Sequence, residues 1–255
     1  MNQIRNQDSG PKLSVVIPVY NERSTIEEIL CRVQEVKIDK EILIVDDGST
    51  DGTREFLQEM VGAKTRNLSD FPLAQGGQLR VDNVRVFFQP GNRGKGAAVC
   101  RGFQEAQGAI VLVQDADLEY DPQNYPALLD PIERGIADIV YGSRFLGGPH
   151  RVLFYWHSVA NATLTIFSNM VTNVNLSDVW TCYKAFRREV IRNIQLKEKR
   201  FGFEQEFTIK VARLGYCIYE VPISYYGRTY AEGKKITWRD GVRGLWCLVR
   251  YAWFD

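Results

Sequence analysis

The chain has 255 residues, of which 45% are apolar and 25% charged, and its 32 lysines and arginines nearly balance 31 aspartates and glutamates. This composition supports one sizeable hydrophobic core, and together with 12% aromatic residues it excludes a disordered chain. A formal net charge of +1 argues against a protein that binds nucleic acid through bulk charge.

The first half of the chain alternates strand-like and helix-like segments. Buried strands are predicted at residues 13–20, 41–45, 84–89, 109–114 and 137–141, where β-branched and other apolar residues run together. Helical spacing predicts helices at residues 26–33, 53–60, 94–107 and 124–134. Residues 62–83 have few periodic apolar positions and are predicted as a surface loop. The alternation predicts an α/β fold with a mostly parallel, doubly wound sheet and helices on both faces.

Beyond residue 145 the alternation stops. Helices are predicted near residues 150–174 and 203–214, and strands near 183–186 and 218–226. No clean linker or internal repeat divides the chain. We therefore expect a polar tail over residues 1–12, one domain over residues 13–236 and a C-terminal helix over residues 237–255.

The C-terminal segment combines Trp246, Val249 and Trp253 with Arg243 and Arg250. Basic and aromatic residues at helical spacing suit a helix that lies in a bilayer interface. The same pattern equally suits a helix packed on the core or on a partner subunit, and the sequence alone leaves both open.

The sequence indicates a chain without disulfides or a membrane span. The five cysteines are scattered and lack CxxC spacing, so a reducing, cytoplasmic compartment fits best. The first twelve residues show no signal peptide, and no apolar run reaches the roughly 18 residues of a spanning helix.

Polar clusters follow three of the predicted strands, at residues 20–22, 46–49 and 115–119. Acidic residues after strands are also ordinary turn formers and helix caps. Three such clusters at one sheet edge, however, would crowd carboxylates at a cost unless they share a cation. Asp115 and Asp117 supply the oxygen ligands that Mg²⁺ or Mn²⁺ prefers, which predicts a metal–phosphate site.

A glycine-rich turn, Gly91-Asn92-Arg93-Gly94-Lys95-Gly96, lies between a predicted strand and a predicted helix. It is not a Walker A motif, which requires GxxxxGK followed by Ser or Thr. A simple tight turn would explain the glycines. Arg93 and Lys95 beside a helix N-terminus favour contact with an anion.

These segments resemble family 2 glycosyltransferases with the GT-A fold. Five motifs occur in the order typical of that family: PVYNE (18–22), VDDGSTDGT (45–53), QPGNRGKGAA (89–98), QDADLE (114–119) and YGSRF (141–145). The resemblance covers roughly residues 13–230. Within the family the chain is most similar to the polyprenyl-phosphate glycosyltransferases, including the dolichol-phosphate mannose synthases, and residues 178–184, 201–206 and 228–235 support that subgroup.

The resemblance implies a nucleotide-sugar site and a metal site. The residues it assigns to the nucleotide-sugar are Pro18, Tyr20, Asn21, Glu22, Val45, Asp47, Lys95, Asp115 and Lys234. The residues it assigns to Mg²⁺ or Mn²⁺ are Asp115, Asp117 and Glu119, the last of which is Gln in some members.

The resemblance also implies an acceptor site and a basic loop. Ser143 and Arg144 match a segment near the acceptor phosphate, and Arg228 with Lys234 (or Lys235) matches a loop that closes over the phosphates. Asp117, Ser143, Arg144 and Arg228 are therefore the expected catalytic residues.

The expected reaction is inverting transfer of a hexose from a UDP- or GDP-sugar to a polyprenyl phosphate. A phosphate acceptor is already anionic and needs no base, whereas a hydroxyl acceptor usually does. The alternatives are therefore transfer to a saccharide hydroxyl, with Asp178, Glu204 or Glu206 as the candidate base, and a non-catalytic nucleotide-sugar-binding protein.

The expected location follows from the acceptor. A polyprenyl acceptor implies peripheral attachment to the cytosolic face of a membrane, with room for a membrane-protein partner and no role for nucleic acid. His150 and His157 are predicted to be surface or packing residues.

Overall fold

The computed structural model describes residues 10–65, 70–74, 76–152, 154–233 and 238–254. The strands are β1 (Leu13–Val19), β2 (Lys40–Asp46), β3 (Asp70–Pro72), β4 (Gln78–Arg80), β5 (Val84–Phe88), β6 (Ile110–Val113), β7 (Ile139–Ser143), β8 (Lys184–Arg187) and β9 (Ile218–Pro222). The helices are α1 (Ile26–Glu35), α2 (Thr53–Thr65), α3 (Lys95–Glu105), α4 (Tyr125–Glu133), α5 (Tyr155–Thr172), α6 (Arg188–Asn193), α7 (Phe203–Arg213) and α8 (Trp238–Trp253).

Seven strands form one sheet in the order β5-β2-β1-β6-β8-β7-β9. Only β8 runs antiparallel to its two neighbours, so the predicted mostly parallel α/β architecture is confirmed. The central strands are apolar on both faces, and every residue of β2 is buried. Such continuous β-branched runs are what a sheet covered on both faces requires.

The register brings the polar segments after the strands to one edge of the sheet. Val19 at the end of β1 lies beside Asp46 at the end of β2, and Val16 of β1 pairs with Val113 of β6. The residues after β1, β2 and β6 therefore emerge together, at the edge where parallel sheets bind ligands.

The region over residues 62–83 is the main error of the sequence-based prediction. It is not one surface loop, because α2 continues to Thr65 and β3 and β4 form an antiparallel hairpin. Phe71 and Leu79 of the hairpin are buried in the core, with Phe71 edge-on to Phe56 at 5.6 Å. Three-residue strands are too short to show alternation in the sequence. The short helix α6 was also not predicted.

The C-terminal helix α8 packs on α5 and α7. Leu164, Ile209, Cys247, Leu248 and Tyr251 form a second buried cluster there, apart from the main core. The opposite face of α8 is exposed, with Trp246 at 63% and Trp253 at 66% of full exposure. One face of α8 therefore packs on the protein, and the other is exposed, as a helix in a bilayer interface requires.

Two contacts fix α8 against the rest of the protein. Glu198, only 6% exposed, accepts a hydrogen bond from Arg243 Nη2 at 3.0 Å. A Cβ atom on Gly244 would lie 2.2 Å from the Trp180 ring, so the helix needs glycine at that point. Within the described residues, no helix is both long and apolar enough to cross a membrane.

The contact at Gly244 predicts the stability of two variants. Gly244→Ala should lower the free energy of unfolding by about 1–3 kcal/mol, because the added methyl group overpacks against Trp180. Gly241→Ala is the matched control in the same helix, since its Cβ would meet nothing within 4 Å. The control should be neutral or stabilising by up to about 1 kcal/mol. Urea unfolding measures both, and equal effects would contradict the packing of α8 described here.

Candidate active site

The loops after β1 and β2 and the glycine-rich turn before α3 are joined by hydrogen bonds. Asn21 N–H donates to Ser49 Oγ at 3.0 Å, and Thr50 N–H donates to Asn21 Oδ1 at 2.8 Å. Asp47 accepts the N–H groups of Arg93 at 2.8 Å and Gly94 at 2.7 Å. Burial raises the pKa of Asp47, and these two hydrogen bonds act in the opposite direction. Asp47 therefore sets the shape of the glycine-rich turn.

Gly94 must be glycine for two reasons. Its φ is +100°, a region that side chains rarely adopt, and a Cβ would lie 2.3 Å from the carbonyl oxygen of Lys199. The turn is thus pressed against the segment that leads into α7, and Ala97 N–H donates to the same carbonyl at 3.0 Å.

The carboxylates after β6 lie among cations. Lys95 Nζ is 2.8 Å from Asp115 Oδ1, and Arg228 Nη2 is 3.3 Å from Asp117 Oδ2 and 3.0 Å from Glu22 Oε1. Burial, followed by the charges of Asp115 and Glu119, raises the pKa of Asp117 to about 7. Negative charge is therefore crowded at Asp117, as expected where a cation belongs.

Glu119 has a different role from its two predicted partners. Its carboxylate accepts hydrogen bonds from the Tyr225 hydroxyl at 2.9 Å and the Arg228 N–H at 2.7 Å. The side chain thus holds the segment that carries Arg228. Among the described residues, no group of three or more His, Cys, Asp or Glu side chains is arranged for a metal ion. The site fits a cation held by Asp115 and Asp117 and completed by phosphate oxygens.

Ser143 and Arg144 are both tied to the segment before β8. Arg144 makes a bidentate pair with the buried Asp178, with Nε 2.7 Å and Nη2 2.8 Å from the two carboxylate oxygens. Ser143 is fully buried, and its hydroxyl lies 2.6 Å from Ser177 Oγ. The Arg144 side chain lines the cavity described below. The Ser143 side chain does not line it and instead supports the turn that carries Arg144.

The alternative base candidates are held by other groups. Glu206 is fully buried and accepts N–H groups of Lys197 at 2.8 Å and Glu198 at 2.7 Å, with Lys210 Nζ also at 2.7 Å. Asp178 is occupied by Arg144. Neither Glu206 nor Asp178 lines the cavity, so their contacts are those of structural residues.

A cavity of about 1120 Å³ joins the polar edge to an apolar groove. Ten predicted site residues line it: Pro18, Tyr20, Glu22, Asp47, Lys95, Asp115, Asp117, Glu119, Arg144 and Arg228. Asn21, Val45 and Ser143 do not line it, and Lys234 and Lys235 fall outside the described residues.

The far end of the cavity was not foreseen from the sequence. Its apolar lining comes from α5, α8 and the segment before β8: Trp156, Leu164, Phe167, Trp180, Val242 and Leu245. Glu204 also lines the cavity, and it pairs with the buried Lys184 and lies 3.6 Å from Lys95. Glu204 was a candidate base, whereas Trp180 was marked only by standing in a segment that supports the resemblance.

The chain belongs to glycosyl transferase family 2, whose family model matches residues 14–195. It is therefore a glycosyltransferase, as predicted. One relative is the polyprenol monophosphomannose synthase of Mycolicibacterium smegmatis, 33% identical over 227 residues, which cover 86% of this chain and 79% of the relative. Another is the undecaprenyl-phosphate mannosyltransferase of Micrococcus luteus, 31% identical over 232 residues, which cover 88% of this chain and 87% of the relative.

A third relative is longer than this chain. The dolichol-phosphate mannosyltransferase of Pyrococcus furiosus is 31% identical over 228 residues, which cover 88% of this chain but 59% of the relative. These three names confirm the predicted similarity to the polyprenyl-phosphate subgroup.

The fold is shared with a solved structure. Glucosyl-3-phosphoglycerate synthase from Mycobacterium tuberculosis, in complex with Mn²⁺, UDP and phosphoglyceric acid, superposes with a TM-score of 0.68 at 20% identity. The match covers 97% of this chain and 81% of that protein. This likeness confirms the GT-A fold.

The contacts of Glu206 lead to a prediction about the base. Glu206→Gln should lower the free energy of unfolding by about 1–3 kcal/mol, because the amide cannot accept all of the N–H groups that the carboxylate accepts. The turnover number of the folded protein should stay within about threefold of the parent's, since ΔΔG‡ below 0.7 kcal/mol is expected for a residue away from the chemistry. The exposed Glu59→Gln is the control and should change neither quantity. A loss of turnover of several orders of magnitude without loss of stability would instead identify Glu206 as a base.

Proposed function

We propose that this glycosyltransferase transfers a hexose from a nucleoside-diphosphate sugar to a polyprenyl phosphate. The observation that carries the proposal is the continuous cavity, which is charged at the sheet edge and apolar between α5 and α8. The three relatives are named as enzymes that place mannose on polyprenol, dolichol or undecaprenyl phosphate, and they favour mannose as the sugar.

The charged end suits the donor. Pro18, Tyr20 and Asp47 line the part of the cavity proposed for the nucleoside. Asp115 and Asp117 would hold Mg²⁺ or Mn²⁺, and a divalent ion bound there supplies positive charge to the diphosphate leaving group. The structural neighbour was crystallised with Mn²⁺ and UDP, which supports divalent metal use in this fold.

Two arginines of the chain, Arg228 and Arg144, supply the remaining positive charge. Arg228 lies at Asp117 and Glu22, where its guanidinium can exchange carboxylates for diphosphate oxygens as charge develops in the transition state. Burial alone would lower the pKa of Arg144, but the Asp178 carboxylate raises it well above its usual value. The guanidinium therefore keeps its charge. These two arginines would align two anions that otherwise repel each other.

The acceptor needs no protein base. A phosphate monoester is anionic at neutral pH and can attack the anomeric carbon directly, which gives inversion in a single displacement. The three candidate bases are already paired with cations: Asp178 with Arg144, Glu204 with Lys184 and Glu206 with Lys210. This arrangement favours the phosphate acceptor over a saccharide hydroxyl.

The apolar end suits the polyprenyl chain and a membrane surface. Leu164, Phe167 and Trp180 line the groove, and the exposed faces of α5 and α8 continue its apolar surface outside. Exposed Tyr155 and Trp156 begin α5, and exposed Trp246 and Trp253 lie on α8. We propose that this surface rests on the cytosolic face of a membrane.

The experiment that tests the reaction uses the purified protein with a short polyprenyl phosphate. UDP-glucose, UDP-galactose, GDP-mannose and GDP-fucose are supplied one at a time with Mg²⁺ or Mn²⁺. We expect one donor to give a glycosylated lipid phosphate, and EDTA to abolish its formation. Donor binding without any lipid product would overturn the acceptor assignment, and the absence of donor binding would overturn the enzyme assignment for these sugars.

The metal assignment predicts the behaviour of Asp117→Ala. Turnover should fall by about 10²–10³-fold or more, because the leaving diphosphate loses its charge stabilisation. The midpoint of thermal unfolding should change little, because the lost contact with Arg228 is offset by relief from the charges of Asp115 and Glu119. Asp130→Asn, on the exposed surface of α4, is the control and should retain full activity. Normal metal-dependent turnover by Asp117→Ala would contradict the assignment.

The membrane surface predicts the effect of two tryptophans. Replacing Trp246 and Trp253 together by serine should weaken binding to anionic phospholipid vesicles by at least about tenfold, because each indole would otherwise bury apolar surface in the bilayer interface. Thermal stability should remain unchanged, because both side chains are exposed. Tyr219→Ser removes an exposed aromatic residue on β9 and should leave vesicle binding unaffected. Vesicle sedimentation measures all three proteins, and unchanged binding of the double variant would sink the membrane assignment of α8.

A further inference from the structure

The segment over residues 225–233 carries Arg228 and is held at two ends. At the sheet end, Glu119 accepts the Tyr225 hydroxyl and the Arg228 N–H, and Tyr226 N–H donates to the Glu119 carbonyl at 2.8 Å. These contacts fix where the Arg228 backbone begins. They do not fix the residues that follow it, from Thr229 to Gly233.

The second end rests on the start of α5. The Tyr230 hydroxyl and His157 Nε2 are 3.0 Å apart and share a hydrogen bond. The Tyr230 ring lies 5.6 Å from the Phe154 ring and edge-on to the His157 ring at 5.7 Å. Phe154 and His157 are themselves 5.1 Å apart, so three rings from two distant parts of the chain form one cluster.

An ion pair strengthens the same end. Arg151 Nη1 lies 2.9 Å from Glu232 Oε2, and it donates to the Gly227 carbonyl at 3.3 Å. Glu232 also accepts the Thr229 N–H at 2.7 Å, which closes a short helical turn over Tyr230–Glu232. The Thr229 hydrogen bond, followed by Arg151, lowers the pKa of Glu232 to about 2. The turn over Tyr230–Glu232 is therefore held together by its own hydrogen bond and attached to Arg151.

We propose that His157 and Tyr230 are positioning residues that hold Arg228 at the diphosphate end of the cavity. His157 and Tyr230 both line that cavity, together with Arg228. The hydrogen bond between them joins the start of α5 to the segment two residues after Arg228, so it restricts how far that segment can swing. His157 thus does more than the surface or packing role predicted from the sequence.

The inference rests on the proposed function, in which Arg228 neutralises the diphosphate. A guanidinium stabilises developing charge best when it is already in place, because no reorganisation is then required at the moment of reaction. Anchoring the segment at Glu119 alone would leave Arg228 at the edge of a freely moving turn. The second anchor reduces that freedom.

Two single variants remove the hydrogen bond and keep an aromatic ring, and a third gives up the ring but restores a hydrogen-bonding group. Tyr230→Phe and His157→Phe each remove the hydrogen bond and retain an aromatic ring, and each should weaken the affinity for UDP or GDP with Mg²⁺ about three- to tenfold. The turnover number should fall by a similar factor with little change in KM for the lipid phosphate. His157→Gln places an amide near the position of Nε2 and should recover most of the loss. Calorimetry with UDP and with GDP, and the transfer assay, give the readouts.

The double variant gives the sharper result. Because the two phenylalanine changes remove the same hydrogen bond, the double variant should be no worse than either single variant. Additive losses would show two independent packing effects and would overturn the proposal. Tyr226→Phe, in the same segment but outside the cavity, is the control and should bind and turn over normally.

The Arg228→Ala background separates this inference from the proposed function. If Arg228→Ala binds nucleoside diphosphate and turns over normally, the proposed role of Arg228 itself is wrong. If Arg228→Ala is impaired, Tyr230→Phe in that background should cause no further loss of affinity, since nothing remains to be positioned. A further three- to tenfold loss of affinity from Tyr230→Phe in the Arg228→Ala background would contradict the role assigned to His157 and Tyr230. That role would also be contradicted if Tyr230→Phe alone caused no loss of affinity.

Discussion

The structure depends on the balance of charge at the carboxyl edge of the sheet. Carboxylates that are taken out of water cost several kcal/mol each unless a cation or N–H groups replace the water. Each carboxylate that lines the cavity has such a partner. Four of them are paired with cations: Asp115 with Lys95, Asp117 and Glu22 with Arg228, and Glu204 with Lys184. The other two, Asp47 and Glu119, accept backbone N–H groups.

Under the proposed function the same pairs would also serve the chemistry. A diphosphate with a divalent cation would bring both signs of charge to this edge, so the existing pairs could exchange partners without leaving a buried charge uncompensated. Arg228 is the clearest case, because its guanidinium bridges Asp117 and Glu22. The buried Lys184–Glu204 pair lies deeper and serves as a fixed wall of the site.

The charged and apolar ends of the cavity share one support. Glu206 fixes the backbone of residues 197 and 198, Lys199 receives Ala97 N–H beside the glycine-rich turn, and Glu198 accepts Arg243 of α8. The glycine-rich turn and the C-terminal helix are therefore both held by residues 197–199. This bracing gives the fully buried Glu206, which does not line the cavity, a structural role.

Much of this could be predicted from the sequence, for identifiable reasons. Strands buried on both faces carry long β-branched runs, and the acidic and glycine-rich turns that follow them occur in a fixed order, so the sheet and the edge with Asp115 and Asp117 were foreseen. The hairpin at residues 70–80 was not, because three-residue strands carry no detectable alternation. The groove at Trp180 was not foreseen either.

Pairings across the chain could not be predicted at all. Periodicity shows that α8 has an apolar face, but it does not show that Gly244 lies against Trp180 or that Trp246 and Trp253 stay exposed. The Arg144–Asp178 pair joins residues 34 positions apart, and the Tyr230–His157 contact joins residues 73 apart. Such contacts depend on three-dimensional packing, which a single sequence does not encode locally.

Under the proposed function, an anionic lipid phosphate attacks the sugar without a protein base. The most direct measurement compares sugar transfer to a polyprenyl phosphate with transfer to the free polyprenol of equal chain length, using the same donor and metal. We expect transfer to the phosphate alone, with no detectable glycosylated polyprenol. Efficient transfer to the alcohol would instead show that the site deprotonates a hydroxyl and that a protein base takes part.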